Sequence, residues 1–325
     1  MLRRKLAVSV LSFSLLMGSA AAMAKTVFIA SDVHPADYPT TAAVIHMGEK
    51  LSQQTDGRLS IRMFPSGQMG DESTTLEKTR AGAIDILRVS MSPVGGILPQ
   101  VSVFNMPFVF RDTDHQHKVL DGDIGNTLAK EISDSNLGLV FLGWMDAGSR
   151  SLITKKPITS LDDLKGVKIR LQNNPIGLDT FKALGANPIV LPVGDVFASL
   201  QTGVIDAAEN NEPTFDTENY VVAGTKYFDL TEHFMIPEVL AFSKRKWSKL
   251  SADDQALIMK LAKEAQAEER VLWADYVEKS KQRLQSQGVK FLPVDKKPFV
   301  DATAPVREKY GKQFSDLMQQ IQDTK

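Results

Sequence analysis

Cysteine is absent from all 325 residues. That excludes disulfide scaffolds, thiolate metal centres and cysteine nucleophiles together. A surplus of either charge is also missing: 38 Lys and Arg face 39 Asp and Glu. The chain therefore offers no overall field for nucleic acid or anionic lipid. Histidine is sparse, and of the five only His115 and His117 lie close together. Two residues apart, they leave a helix on different faces, so the stretch reads as a solvated helix end and no metal site is expected. No G-x-G-x-x-G between strand and helix, Walker loop, H-E-x-x-H or G-x-S-x-G occurs, which removes the motif basis for dinucleotide, nucleotide, zinc-protease and serine-hydrolase chemistry. No cofactor is expected, and no catalytic pair stands out among the acidic residues.

What is present begins with an address. Arg3, Arg4 and Lys5 precede an apolar run from Leu6 to Met17, and Ala22-Met23-Ala24 fits a small-x-small cleavage site. The run is too short and wrongly flanked for a membrane span. The expectation is a leader over 1–24, a mature chain from Lys25, and export to a bacterial periplasm. Without the leader, 35 basic residues face 39 acidic ones.

The mature chain reads as alternating strands and helices. Thr26 to Ser31 is a buried strand, Thr40 to Leu51 a helix, and Leu59, Ile61 and Met63 alternate as a strand. A Pro/Gly loop, a helix over Ser73 to Arg80 and a strand over Ala83 to Val89 follow. This order implies mainly parallel sheet with helices on its faces. Strands are predicted again over 137–142, 167–171, 187–193 and 204–208, with helices over 174–184 and 195–201. Ala252 to Gln287 has the composition of a long helix. An internal echo links FPSGQMGDESTTLEKTRAGAIDILRVS to LPVGDVFASLQTGVIDAAENN, both reading strand, loop, helix, Gly, [AV]-Ile-Asp, strand. Two similar α/β lobes are expected, with ligand held between them at the carboxyl ends of the strands.

Those ends carry the candidate site. Arg150 follows a Gly in a loop after a strand, and Arg170 lies in an apolar strand where a charge needs a partner. Asn210 and Asn211 follow another strand. A guanidinium grips a carboxylate through two parallel hydrogen bonds, and an amide adds donor and acceptor without charge, so a small organic anion suits the set. Glu72, Gln172 and Ser90 adjoin these segments. Phe215 and Tyr220 are placed to wall the site. Trp144, Trp247 and Trp273 read as packing residues.

With those residues in view, the mature chain resembles the solute-binding proteins of tripartite ATP-independent periplasmic (TRAP) transporters. The resemblance is carried by FPSGQMGDE at 64–72, MPFVFRD at 106–112, SLDDLKGVKIRLQ at 160–172, ALGANPIVLP at 183–192 and SLQTGVIDAAEN at 199–210. It implies two α/β lobes, each a mixed sheet flanked by helices, with a long helix along both. The expected division is 25–147 with 236–275 and 148–235 with 276–325. It also implies a carboxylate ligand held by Arg170, Arg150 and Asn210, cleft closure, and delivery to two TRAP membrane subunits by a monomer. Ala207 stands where this family usually has Gly, and Asn211 is also unusual.

VHPADYPTT, RVS and AENN are similar to members that bind hexuronates. On that reading His34, Asp37, Arg88 and Asn211 meet the sugar hydroxyls. The alternative is a C4-dicarboxylate or similar keto or hydroxy acid, with Arg88 taking a second carboxylate. Two other classes stand beside these: a binding protein serving a receptor, and a periplasmic enzyme acting on a sugar acid. The enzyme needs an acid/base pair from Asp37 or Glu238 with His34.

Overall fold

The computed structural model describes residues 25–325; the expected leader lies outside them. Two mixed sheets form the framework. The first has β1 (Thr26–Ser31), β2 (Leu59–Phe64), β3 (Ile86–Ser90), β4 (Leu139–Met145) and β10 (Glu238–Ser243), in the order β2-β1-β3-β10-β4. The second has β5 (Arg150–Thr154), β6 (Lys168–Leu171), β7 (Asn187–Val190), β8 (Ala207–Asn210), β9 (Tyr227–Phe234) and β11 (Lys290–Pro293), in the order β11-β9-β5-β8-β6-β7. We call the corresponding bodies lobe I and lobe II. The βαβ segments pair in parallel as their order demands, but β10 enters lobe I antiparallel to both β3 and β4. In lobe II, β5 runs antiparallel to β8 and β9. Each sheet is thus mixed, because one strand of each, β10 in the first and β5 in the second, enters from the other lobe and runs against both its neighbours.

The internal echo is real in three dimensions. Helix Glu72–Ala81 ends on Gly82 and helix Val196–Thr202 on Gly203, both with positive φ. That left-handed cap favours glycine, which has no Cβ to clash. Three residues later comes an Asp whose carboxylate accepts a backbone N–H of the neighbouring parallel strand: Asp85 from Ile29 at 2.8 Å, Asp206 from Lys168 at 3.0 Å. These turns hold the chain before it pairs, so β3 and β8 begin later than the strands predicted from Ala83 and Val204. The strand predicted over 137–142 runs on through Met145 as β4, and Arg150, expected in a loop, opens β5, leaving Asp146–Ser149 as the crossover to lobe II.

The helix Ala252–Ser286 lies against helix Pro39–Gln54 and β4 of lobe I and against helix Glu212–Thr217 of lobe II. Its 35 residues span about 52 Å at 1.5 Å per residue. Ser251 caps its first turn by accepting the Asp254 N–H. On it, Trp273 packs at the crossover, where a Cβ on Gly148 would come within 3.2 Å of the indole; Gly148 also has φ +61°. His115 is not solvated as its sequence suggested. It is buried, with Nδ1 accepting the Arg111 N–H and Nε2 at 2.8 Å from the Ile321 carbonyl, so it ties the C-terminal helix to lobe I. Among the described residues no helix is long and apolar enough to cross a membrane, and no group of His, Asp or Glu has the geometry of a metal site.

Candidate functional site

The carboxyl ends of β1, β3, β6 and β8, the start of β10 and the start of β5 all reach one edge, where the two lobes enclose a cleft of about 780 Å³. On the lobe II wall, β5 opens with Arg150. Its Nε donates to Glu209 Oε2 at 2.6 Å, its Nη2 to Glu209 Oε1 at 2.8 Å, and its Nη1 to Asn210 Oδ1 at 3.0 Å. Burial would raise the Glu209 carboxyl, but Arg150 and His233 bring it down to about 2. Arg150 is therefore neutralised before any ligand arrives. Asn210 Oδ1 is taken by Arg150 and by the Asn211 N–H, which leaves its amide N–H groups to point elsewhere.

Arg170 differs. It is 2% exposed, and only its Nε is held, donating to the Leu191 carbonyl at 2.8 Å. Among the described residues it forms no ion pair. Glu218 shares the wall without reaching it. Burial lowers the pKa of Arg170, as it must for a guanidinium without a counter-ion, although arginine stays charged. A buried cation facing a cleft with its Nη groups unclaimed is a receptor for an anion.

Glu72, at the start of its helix, and Glu238, at the start of β10, line the lobe I wall. Arg88 lies beneath them on β3, 2% exposed. It donates to Glu72 Oε1 at 2.8 Å and to Asp32 Oδ1 through Nε at 3.1 Å, and it also pairs with Glu238. Burial, opposed by Arg88 and reinforced by Glu72, pushes the Glu238 carboxyl up to about 7. His34 lines the cleft and stacks on Tyr38, ring centroids 3.9 Å apart and 10° from parallel. Its burial, with Arg88 nearby, lowers its pKa to about 3 and keeps it neutral. Gln172 reaches across the cleft and donates to Glu72 Oε2 at 3.3 Å. Tyr38 spans the lobes too, its hydroxyl 3.1 Å from Thr214 Oγ1.

The structure brings Arg170, Arg150, Asn210, Asn211, His34, Glu72, Gln172 and Glu238 to the cleft. It does not bring the other candidates there. Asp37 is exposed outside it, because the turn after β1 directs His34 inward and Asp37 to solvent. Arg88 is enclosed by three carboxylates and cannot be a second carboxylate anchor. Ser90 is buried just behind the cleft: its Oγ accepts the Ser92 N–H at a helix start and lies 3.5 Å from Oε1 of the cleft residue Gln172. Phe215 lies in the lobe II core against Tyr220 and Phe228. Asn211 lines the cleft, yet its side chain is engaged: Oδ1 caps helix Glu212–Thr217 and Nδ2 donates to the Ala147 carbonyl in the crossover. Sequence reasoning missed Asp32 and Glu209, the buried counter-ions. A carboxylate one residue beyond β1 and another beside Asn210 in β8 were the available signals.

The sequence matches the family model described as DctP, bacterial extracellular solute-binding protein, family 7, over residues 30–313. A TRAP periplasmic solute-binding protein from Pseudomonas putida F1, solved with bound D-glucuronate, is 48% identical and superposes with a TM-score of 0.90, covering 92% of this chain and 97% of that one. One from Citrobacter koseri with bound D-glucuronate is 50% identical with a TM-score of 0.90, over 92% and 100% of the two chains. The apo, open form of the C. koseri protein gives 0.81 over 91% and 98%, at 49% identity. One from a Bradyrhizobium species in complex with galacturonate is 41% identical, with a TM-score of 0.88 over 92% and 100%. The lobes here thus stand closer to the ligand-bound arrangement than to the open one.

Proposed function

The chain belongs to the DctP family of bacterial extracellular solute-binding proteins, the TRAP type, and from that premise we propose that its ligand is a hexuronate such as D-glucuronate or D-galacturonate. TRAP solute-binding proteins are transport components: they capture a small organic acid and work with membrane subunits. The observation that carries the ligand reading is Arg170, a buried guanidinium aimed into the cleft with no carboxylate of its own. The ligand carboxylate supplies that partner through a bidentate contact, and the free Asn210 amide and the Arg150 edge complete the grip. Opposite them, Glu72, Glu238 and neutral His34 present acceptors, and Gln172, on the same wall as Arg170, adds an amide donor, the partners that hydroxyl groups need. The relatives with bound D-glucuronate and galacturonate support this assignment.

The dicarboxylate alternative needed Arg88 as a second anchor, and Arg88 already serves Asp32, Glu72 and Glu238. The enzyme alternative loses Asp37, which is exposed outside the cleft, and His34, held neutral by a pKa lowered to about 3, is a weak base; Glu238 stays in the cleft but is paired with Arg88. In our reading the chain is exported by its leader, matures at Lys25 and works as a monomer in the periplasm.

Binding closes the cleft because the closed arrangement alone lets both walls touch the ligand, which is the differential affinity that any shift between two states requires. A thermal-shift screen of residues 25–325 against hexuronates, aldonates, sialic acid and C4-dicarboxylates tests the proposal. A ligand that binds only the folded state raises the melting temperature. A rise with glucuronate or galacturonate and none with succinate or malate is expected. A rise confined to dicarboxylates sinks the reading.

A further inference from the structure

The two walls differ in charge. On lobe I, three carboxylates share one guanidinium: Asp32 and Arg88 lie beneath, with side chains 0% and 1% exposed, while Glu72 and Glu238 reach the cleft at 14% and 8%. With Glu238 ionised this wall holds two negative charges more than Arg88 neutralises, and with Glu238 protonated, as its burial favours below about pH 7, it still holds one more. On lobe II, Arg150 and Glu209 cancel each other, and Arg170 has no ion-pair partner among the described residues, although the carboxylates of Glu218 and Asp195 also line the cleft on this side.

The acceptors on the lobe I wall are not exhausted. Glu72 Oε2 receives only the Gln172 amide, at 3.3 Å, and the contact of Glu238 with Arg88 runs through Oε2, leaving Oε1 toward the cleft. A hydroxyl satisfies such an oxygen by donating its proton. A second ligand carboxylate has no proton to donate at neutral pH and meets like charge, an arrangement that costs heavily when water is excluded.

Resting on the hexuronate reading, we infer that Glu72 and Glu238 act as a charge filter, admitting sugar acids with one carboxylate and rejecting the corresponding sugar diacids. They are specificity-determining residues that accept hydroxyl hydrogen bonds at the end of the ligand away from Arg170. A six-carbon aldarate, with a carboxylate at each end, places one on Arg170 and forces the other against this wall.

Titration calorimetry on the mature chain tests the inference with D-glucuronate, D-gluconate and D-glucarate. Gluconate is the second monoacid probe, so the filter is read from a monoacid-to-diacid ratio even if glucuronate does not bind. In the unaltered protein glucarate should bind at least about 100-fold more weakly than the better monoacid. Glu238→Gln and Glu72→Gln keep shape and hydrogen bonding but remove charge, and each should narrow that gap by about tenfold or more, chiefly through tighter glucarate binding. Glu77→Gln, on the outer face of the same helix, should leave the ratio unchanged. Comparable affinity for glucarate and the better monoacid in the unaltered protein overturns the filter. So does an unchanged ratio in both Gln variants that still melt cooperatively and bind a monoacid. Gluconate bound and glucuronate not bound, with glucarate rejected, overturns the hexuronate reading and leaves the filter standing.

Discussion

Glu209 holds Arg150 by both carboxylate oxygens, at 2.6 Å and 2.8 Å, in a pair that is almost wholly enclosed. Arg150 is thus a neutralised element of the lobe II wall, unlike Arg170 beside it. Removing one member leaves a buried, uncompensated charge, so Arg150→Met should cost about 3–5 kcal/mol, a drop on the order of 10 °C in melting temperature. Adding Glu209→Gln should restore much of the loss without restoring ligand affinity. Calorimetric melts of the two single variants and the double variant check this, and additive losses would show that the residues do not act as a pair.

Arg170 should behave in the opposite sense. Arg170→Met ought to weaken hexuronate binding by about 100-fold or more, since the ligand carboxylate then enters the cleft unpaired. The ligand-free variant should melt higher than the parent, because an enclosed cation without a counter-ion is replaced by an apolar side chain of similar length. Arg170→Lys retains charge but not the planar fork and should still bind poorly. Affinity within about twofold of the parent in either variant would refute the placement of the ligand carboxylate.

Tyr38 links the lobes through its hydroxyl, 3.1 Å from Thr214 Oγ1 and 3.5 Å from Asn211 Oδ1. Tyr38→Phe keeps the ring against His34 and Trp273 and deletes only this link. A hydrogen bond of this type contributes about 1 kcal/mol, so hexuronate binding should weaken by about fivefold. Small-angle scattering should show a larger ligand-free radius of gyration. An unchanged radius and affinity would mean that the bond does not favour closure.

The pH dependence has a defined sign. Buried His34 has a pKa near 3 in the folded chain against 6.5 when free, so unfolding takes up a proton between those values and stability falls as pH is lowered through that window. Glu238, raised to about 7 from 4.5, acts the other way and favours the folded state as pH falls from 7 toward 4.5. His34→Gln should therefore reduce the loss of melting temperature between pH 7 and pH 4.5, and Glu238→Gln should enlarge it. Parallel profiles for all three proteins would show that neither group titrates as its burial demands.

Much of the site was legible because its polar residues interrupt apolar strands. Arg170 within GVKIRLQ and Asn210 after VIDAAE occupy places where a side chain must be either partnered or functional. What could not be read was which charges were already matched. Arg88 and Arg170 both sit in apolar strands, and only the packing of β10 beside β3 reveals that one has three carboxylates and the other none. Phe215 and Asp37 were misplaced for a related reason: a short helix or a turn sets which neighbour faces inward, and spacing alone does not settle that. Strands β9 and β10 escaped notice because their pairing is non-local. The internal echo, by contrast, was visible, since Gly followed by [AV]-Ile-Asp encodes both the left-handed cap and the carboxylate that fastens the next strand.

The interleaving of the sheets has a consequence for how the molecule can come apart. Sheet I takes β10 from a segment that follows all but one of the strands of sheet II, and sheet II is finished by β11 only after the long helix has run past both lobes. Neither body is a continuous stretch of chain, so no single cut yields two pieces that each hold a complete sheet. Expressed halves should aggregate and not fold, and heat should melt both lobes in one calorimetric transition.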